Sequence, residues 1–186
     1  MGADRGILVN DPALAGADAL GVAKALAAAI KGDGELPSLI FTGKLAIDDY
    51  GASVAQCVAE ILGIGQMMVV DNLEVSDAGA KASRRVEGGA KEMLEASFPV
   101  LVACEKGLNE PRYASLPGIM KAKKKKIDEK KIADLGLSAA DVAPKVKVLK
   151  FTLPPERAAG QKIEPKDAAE AAQAIVNYLH NEAKIL

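Results

Sequence analysis

Three stretches of this 186-residue sequence hold the residues whose types and spacing could do chemistry. The first is Gly43-Lys44-Leu45-Ala46-Ile47-Asp48-Asp49-Tyr50-Gly51-Ala52-Ser53. It leaves the apolar run Leu39-Ile40-Phe41, which reads as a strand, and enters Val54 to Leu62, which reads as a helix. At the carboxyl end of a strand in an open α/β sheet, the free N–H groups of the following helix suit a phosphate. Aspartates beside them would accept from ribose hydroxyls or adenine N–H groups. No Walker or dinucleotide fingerprint is present, so spacing alone leaves two readings: a nucleotide site, or a loop whose Asp48 and Asp49 cap the helix.

The second stretch, Asn109-Glu110-Pro111-Arg112-Tyr113-Ala114-Ser115-Leu116-Pro117-Gly118-Ile119-Met120, sets apolar side chains in a polar, proline-framed loop. Exposed, they would anchor in a partner's pocket; folded back, they would complete the chain's own core. The third is Lys121-Ala122-Lys123-Lys124-Lys125-Lys126. Such a run is a solvated face, a surface for an acidic protein, or last a contact for nucleic acid or anionic lipid. No aromatic interleaves it and the formal net charge is -1, which argues against nucleic acid.

Other chemistry is not indicated. The single histidine, His180, sits near the end of a helix-like tail, and Glu87, Glu92 and Glu95 have no constraint that pairs them. Without a nucleophile–base pair or catalytic histidine, hydrolysis and group transfer have no site. Cys57 and Cys104 lack metal-ligand spacing and read as core thiols in a reducing compartment, with no metal site expected. Runs such as Met67-Met68-Val69-Val70 fall far short of the roughly 18 apolar residues of a membrane span, so no membrane insertion is expected.

The elements that must position these stretches follow from apolar periodicity. Hydrophobic residues make up 49% of the chain, enough for one ordinary core. Ile7-Leu8-Val9 reads as a strand, and Ala17 to Ile30 as a helix with Val22, Leu26 and Ile30, and Ala23 and Ala27 beside them, on the stripe that packs on a sheet. After Leu39-Ile40-Phe41 and the helix Val54 to Leu62, closed by Gly63, Met67 to Val70 is a third strand. The alternation predicts an α/β fold with an open, mostly parallel sheet. Turn sequences at Asp77-Ala78-Gly79 and Glu87-Gly88-Gly89, ending in Pro99-Val100-Leu101-Val102-Ala103, predict an antiparallel meander added to it. Residues 104–131 read as a long surface loop and 132–164 as an extended arm with Pro144, Pro154 and Pro155. A last amphipathic helix, from about Asp167 to Asn181, sets Ala168, Ala171, Ala172, Ile175 and Leu179 on one face.

Taken together these stretches resemble the β subunit of electron transfer flavoprotein. The most specific match is Leu108-Asn109-Glu110-Pro111-Arg112-Tyr113-Ala114-Ser115-Leu116-Pro117-Gly118-Ile119-Met120-Lys121-Ala122-Lys123-Lys124-Lys125. Arg84-Arg85-Val86-Glu87-Gly88-Gly89 with Glu92, Pro99 and Val100-Leu101-Val102-Ala103 is similar to that subunit's signature. Gly43-Lys44-Leu45-Ala46-Ile47-Asp48-Asp49 resembles its AMP-binding segment, and Gly2-Ala3-Asp4-Arg5-Gly6-Ile7 also fits. The resemblance implies an open α/β fold of the adenine-nucleotide α-hydrolase-like type. Residues 1–131 would form the nucleotide-binding-like domain with a recognition loop at 109–126, and 132–186 an arm and helix contacting a partner subunit.

It further implies a structural AMP lined by Gly43, Lys44, Leu45, Ala46, Ile47, Asp48, Asp49, Tyr50, Gly51, Ala52, Ser53 and Val54, with FAD held mainly by an α subunit. Tyr113, Ala114, Ser115, Leu116, Pro117, Ile119 and Met120 would form the loop that docks acyl-CoA and related dehydrogenases, with Leu116 at its tip. Lys121 and Lys124 match lysines that are methylated in animal members. The chain would be an electron carrier without catalytic side chains, passing electrons towards a respiratory chain. It would work in a bacterial cytoplasm, or in the mitochondrial matrix if eukaryotic. A stand-alone adenine-nucleotide-binding domain or a non-functional fragment is the alternative.

Two departures from the family pattern carry expectations. After Asp49 the family continues with an acidic residue, Gln, a small or β-branched residue and Gly, where this chain has Tyr50, Ser53, Val54 and Ala55, so the backbone approach to phosphate should be altered. Met1 falls past the family's first two strand–helix units, so the first strand should lack its usual neighbours and leave open edges.

Overall fold

In the computed structural model the described residues are 1–156, 160, 162 and 164–185. The element order is β1 (Gly6–Val9), α1 (Ala19–Lys31), β2 (Leu39–Gly43), α2 (Val54–Leu62), β3 (Gly65–Ser76), β4 (Gly79–Arg85), β5 (Lys91–Ala96), β6 (Val100–Cys104), α3 (Leu116–Ala122), β7 (Ile127–Lys130), α4 (Ala139–Val142) and α5 (Ala168–Asn177). Two compact units divide the chain, Met1–Lys147 and Val148–Leu186.

The first unit holds a five-stranded sheet, β2-β6-β3-β4-β5, and a two-stranded parallel sheet of β1 and β7. The expected α/β architecture is present, with open sheets. β3, β4 and β5 form the antiparallel meander. The apolar run after it does not extend the meander. It crosses back as β6 and lies parallel between β2 and β3. Val100, Leu101, Val102 and Ala103 are all buried, the signature of a central strand covered on both faces.

β1 and β2 are joined through α1 yet lie in different sheets, and among the described residues each has one unpaired edge. α1 begins at Asp18, whose Oδ1 accepts the Gly21 N–H at 2.9 Å. Part of the expected stripe packs inward, with Ile30 against the cluster that holds Ala23. Ala23 and Ala27 are fully buried, Ala23 in a cluster with Ala55, Val58 and Ala59 of α2. Gly21 and Ala25, two residues away and so about 200° around the helix, face the other way; Ala25 packs on Ile132 and Val142. Small residues dominate because neighbours press from two sides: a β-carbon on Gly21 would lie 2.4 Å from the Val142 carbonyl oxygen. The larger Val22 and Leu26 instead line a cavity, and Leu26 is exposed.

Residues 132–147 therefore belong to the first unit and are not the start of an extended arm. Ile132 and Val142 are core, Lys24 Nζ donates to the Asp141 carbonyl at 2.9 Å, and the Lys145 N–H donates to Asp18 Oδ2 at 2.5 Å. The stretch read as a loop at 104–131 contains α3 and β7. In the second unit, Val148, Leu149, Phe151 and Leu153 are highly exposed. α5 is capped by Asp167, whose Oδ1 accepts the Glu170 N–H, and runs into a π-helical turn at Tyr178–Glu182. None of the residues of α5 is buried. Residues 157–159, 161, 163 and 186, part of the expected arm and its last residue, lie outside the described residues.

Candidate functional site

β2 and β6 run in register with Gly43 beside Cys104, so the residues that follow, Lys44 and Glu105, emerge side by side at the carboxyl ends of their strands. Lys44 Nζ lies 2.6 Å from Glu105 Oε2, and Glu105 Oε1 accepts the Lys106 N–H at 2.9 Å. The Lys44 ammonium, then the Lys106 N–H, holds the Glu105 carboxyl below the usual carboxylate range. The Glu105 N–H donates to the Val70 carbonyl of β3 at 2.9 Å.

From Lys44 the chain turns through Tyr50 N–H to Ala46 C=O, 3.1 Å, and through Gly51 N–H to Asp49 Oδ1, 2.9 Å. Asp49 thus caps a turn rather than the helix. Ser53, the residue before α2, makes no side-chain cap, so the first-turn N–H groups of α2 have no side-chain acceptor. Tyr50 and Ala52 have φ of 53° and 46°, the left-handed region uncommon for side-chain-bearing residues. Ala55, the position where the family pattern has glycine, lies within α2 and needs no such freedom.

This loop walls a cavity of about 430 Å³. Of the residues expected to line it, Gly43, Lys44, Leu45, Ala46, Asp49, Gly51, Ala52, Ser53 and Val54 do so, whereas Ile47, Asp48 and Tyr50 do not; Ile47 and Tyr50 point to solvent. The opposite wall, absent from the sequence reading, is α1 and its approach: Ala17, Asp18, Ala19, Val22 and Leu26. Asp18 is held in its ionised form by the Gly21 and Lys145 N–H groups. The sequence reading also missed Thr42, a residue of the cavity lining whose hydroxyl oxygen is buried without a hydrogen-bond partner. The free N–H groups of an uncapped helix start are an arrangement a ligand oxygen would satisfy.

A second cavity, about 450 Å³, shares Lys44 and is lined also by Val69, Asp71, Arg85, Glu105 and Lys106. Asp71 accepts from the Ser83 hydroxyl at 2.7 Å and Arg85 Nε at 3.0 Å, and these contacts, the hydroxyl first, lower its pKa. Among the described residues no cluster of His, Cys, Asp and Glu could hold a metal ion, and no helix is long and apolar enough to cross a membrane. Cys57 and Cys104 are half-buried free thiols; burial pushes the Cys104 pKa up.

The second stretch is irregular through 109–115 and enters α3 at Leu116. Ser115 accepts the Gly118 N–H on its Oγ at 3.2 Å and Pro117 occupies the first turn, so the backbone is fixed by its own cap. The side chains do not fold back onto a core: Tyr113, Ala114, Ser115, Leu116, Pro117, Ile119 and Met120 are all exposed, Tyr113 at 99% and Leu116 at 74%. Lys121 closes the last turn and Lys124 follows it. Lys125 bonds the Ala3 carbonyl, and Lys126 pairs with Asp128 at 2.6 Å.

The family described as electron transfer flavoprotein domain matches residues 1–135. The electron transfer flavoprotein subunit beta of Bacillus subtilis is 40% identical over 187 residues, covering the whole chain and 71% of that protein. That of Bradyrhizobium diazoefficiens is 45% identical, again over the whole chain and 69% of the relative. The human protein of the same name is 41% identical over 167 residues, 88% of this chain and 63% of the relative.

Proposed function

Since the chain belongs to the electron transfer flavoprotein family, in the line of its β subunits, we propose that it pairs with a FAD-carrying α subunit, accepts electrons from acyl-CoA and related dehydrogenases and passes them towards a respiratory chain. The observation that carries this reading is α3: a self-capped turn that holds Leu116 about three quarters exposed beside a run of lysines. An apolar side chain kept exposed on a fixed backbone has surface to lose only to a partner. Tyr113, Ile119 and Met120 extend that surface, and methyl groups on Lys121 and Lys124 would change the hydration of its rim without removing charge.

FAD, held mainly by the α subunit, supplies the redox chemistry; this chain contributes placement. The exposed apolar side chains of 148–153 and the unburied α5 supply surface for the α subunit. AMP fits the residues that line the first cavity. Its phosphate would meet the uncapped first turn of α2, while Asp18 and Asp49 would accept from its ribose hydroxyls or adenine amine. In this reading the protein works in a bacterial cytoplasm or a mitochondrial matrix.

Co-expression with an electron transfer flavoprotein α subunit, purification through this chain and a visible spectrum form the test. A stoichiometric yellow complex is expected. A colourless chain purifying alone would remove the heterodimer reading, and tight AMP binding by that lone chain would favour the stand-alone nucleotide domain instead.

A further inference from the structure

Lys44 borders both cavities, the nucleotide-sized one and the charged one, and its ammonium meets Glu105, which lines the second alone. The strand register puts Glu105 next to it, and Glu105 is pinned by its own N–H to the Val70 carbonyl and by Oε1 to the Lys106 N–H. The carboxylate is therefore fixed on the sheet while the lysine reaches it on a flexible four-carbon stem. One partner is anchored and the other can move.

We propose that Glu105 is the internal counter-ion of the nucleotide cavity, a positioning residue that draws Lys44 away from the cavity and so sets how tightly the cavity takes a phosphate monoester. The proposal rests on the nucleotide reading of that cavity. With Lys44 engaged by Glu105, the remaining fixed charges on the wall are the carboxylates of Asp18 and Asp49, which repel a phosphate dianion. An entering phosphate recruits Lys44 only by taking it from Glu105. Affinity for the phosphate is then the difference between two ion pairs, whereas affinity for the nucleoside is untouched.

This assigns Glu105 an effect opposite in sign to that of a brace. If Glu105 merely held the loop in shape, removing its charge would loosen the cavity and weaken every ligand. As a competing counter-ion, its removal frees Lys44 and strengthens phosphate-bearing ligands alone.

The test is calorimetric titration of the full chain with AMP and with adenosine, for the unaltered protein, Glu105→Gln, Glu105→Asp and the pair Lys44→Met and Lys44→Met/Glu105→Gln, each checked for fold by circular dichroism. Glu105→Gln should tighten AMP about three- to tenfold, as expected for release of a half-exposed ion pair beside a dianion, and leave adenosine unchanged. Glu105→Asp should fall between, and in the Lys44→Met background the gain should vanish. Weaker AMP binding in Glu105→Gln, an equal change for adenosine, or a gain that survives Lys44→Met would overturn the counter-ion role while leaving the nucleotide site standing. Absence of binding by both ligands to every variant would overturn the nucleotide reading and this proposal with it.

Discussion

Leu116→Ala separates docking from folding. Burying a whole leucine side chain is worth about 1.5–3 kcal/mol. Leu116 is 74% exposed, so about three quarters of that, roughly 1–2 kcal/mol, is available only on contact with a partner. The corresponding loss in docking affinity is about five- to thirtyfold. Because Leu116 touches no buried cluster, and Ser115 and Pro117 still set the turn, the substitution should leave folding stability within about 0.5 kcal/mol of the parent. The assay is dehydrogenase-driven reduction of the flavin in the complex with an α subunit, with KM and kcat for the complex measured separately. KM should rise by the stated factor, with flavin content and urea midpoint unchanged. An unchanged KM would refute the anchor argument, and a fallen urea midpoint would show that Leu116 is a core residue.

Three further outcomes follow from the packing and the cavities. Gly21→Ala should lower the urea midpoint, by up to about 2 kcal/mol in stability: the added carbon meets the Val142 carbonyl oxygen at 2.4 Å, and overpacking of about 1–3 kcal/mol outweighs the roughly 1 kcal/mol helix-propensity gain; an unchanged or raised midpoint would mean that 139–142 does not press on α1. Thr42→Val should stabilise the chain by about 1 kcal/mol, since it removes a buried hydroxyl with no partner; a destabilised variant would contradict that placement. Asp71→Asn should lower the urea midpoint at pH 7. A carboxyl whose folded pKa is depressed by the Ser83 hydroxyl and Arg85 contributes stability above its unfolded pKa, near 3.9, and loses it as pH falls below that. The gap between variant and parent should therefore close between about pH 4 and still more acid solution, and a gap independent of pH would rule out the charge as its origin.

How far the molecule could be read in advance depended on whether an element is specified locally. The strand β6, the helix α2 with Gly63 at its left-handed end, and the turns of the meander announce themselves in runs of five to ten residues. β7 does not: Ile127-Asp128-Glu129-Lys130 has neither an apolar alternation nor a β-branched run, and becomes a strand only because β1 lies beside it. The four-residue α4 is set by the Ser138–Asp141 capping box and by the seat it finds on α1. The same division holds at the site. The loop from Gly43 to Val54 was legible as a strand-to-helix turn, but its far wall on α1, the orphaned Thr42 hydroxyl and the Lys44–Glu105 pair arise from contacts between segments distant in the chain. The helical form of Leu116 to Ala122 had a local signal in Ser115 followed by Pro117, a cap and a first-turn proline.

The parallel pairing of β1 with β7 has a consequence for how the chain is made. Gly6 meets Ile127, so its partner leaves the ribosome only after about 120 further residues, some 6–24 s at about 5–20 residues per second. β2, by contrast, waits for β6 across about half that length. Throughout that interval Ile7-Leu8-Val9 lacks the neighbour that β7 provides in the fold, and even in the finished fold Ile7 and Leu8 remain partly open to water. An unmatched apolar strand is a template for the wrong neighbour. Slow elongation or a crowded polysome therefore prolongs the period in which β1 on one nascent chain can pair with an extended segment on the next, and yield at high expression should improve when a chaperone that shields extended segments is supplied during synthesis.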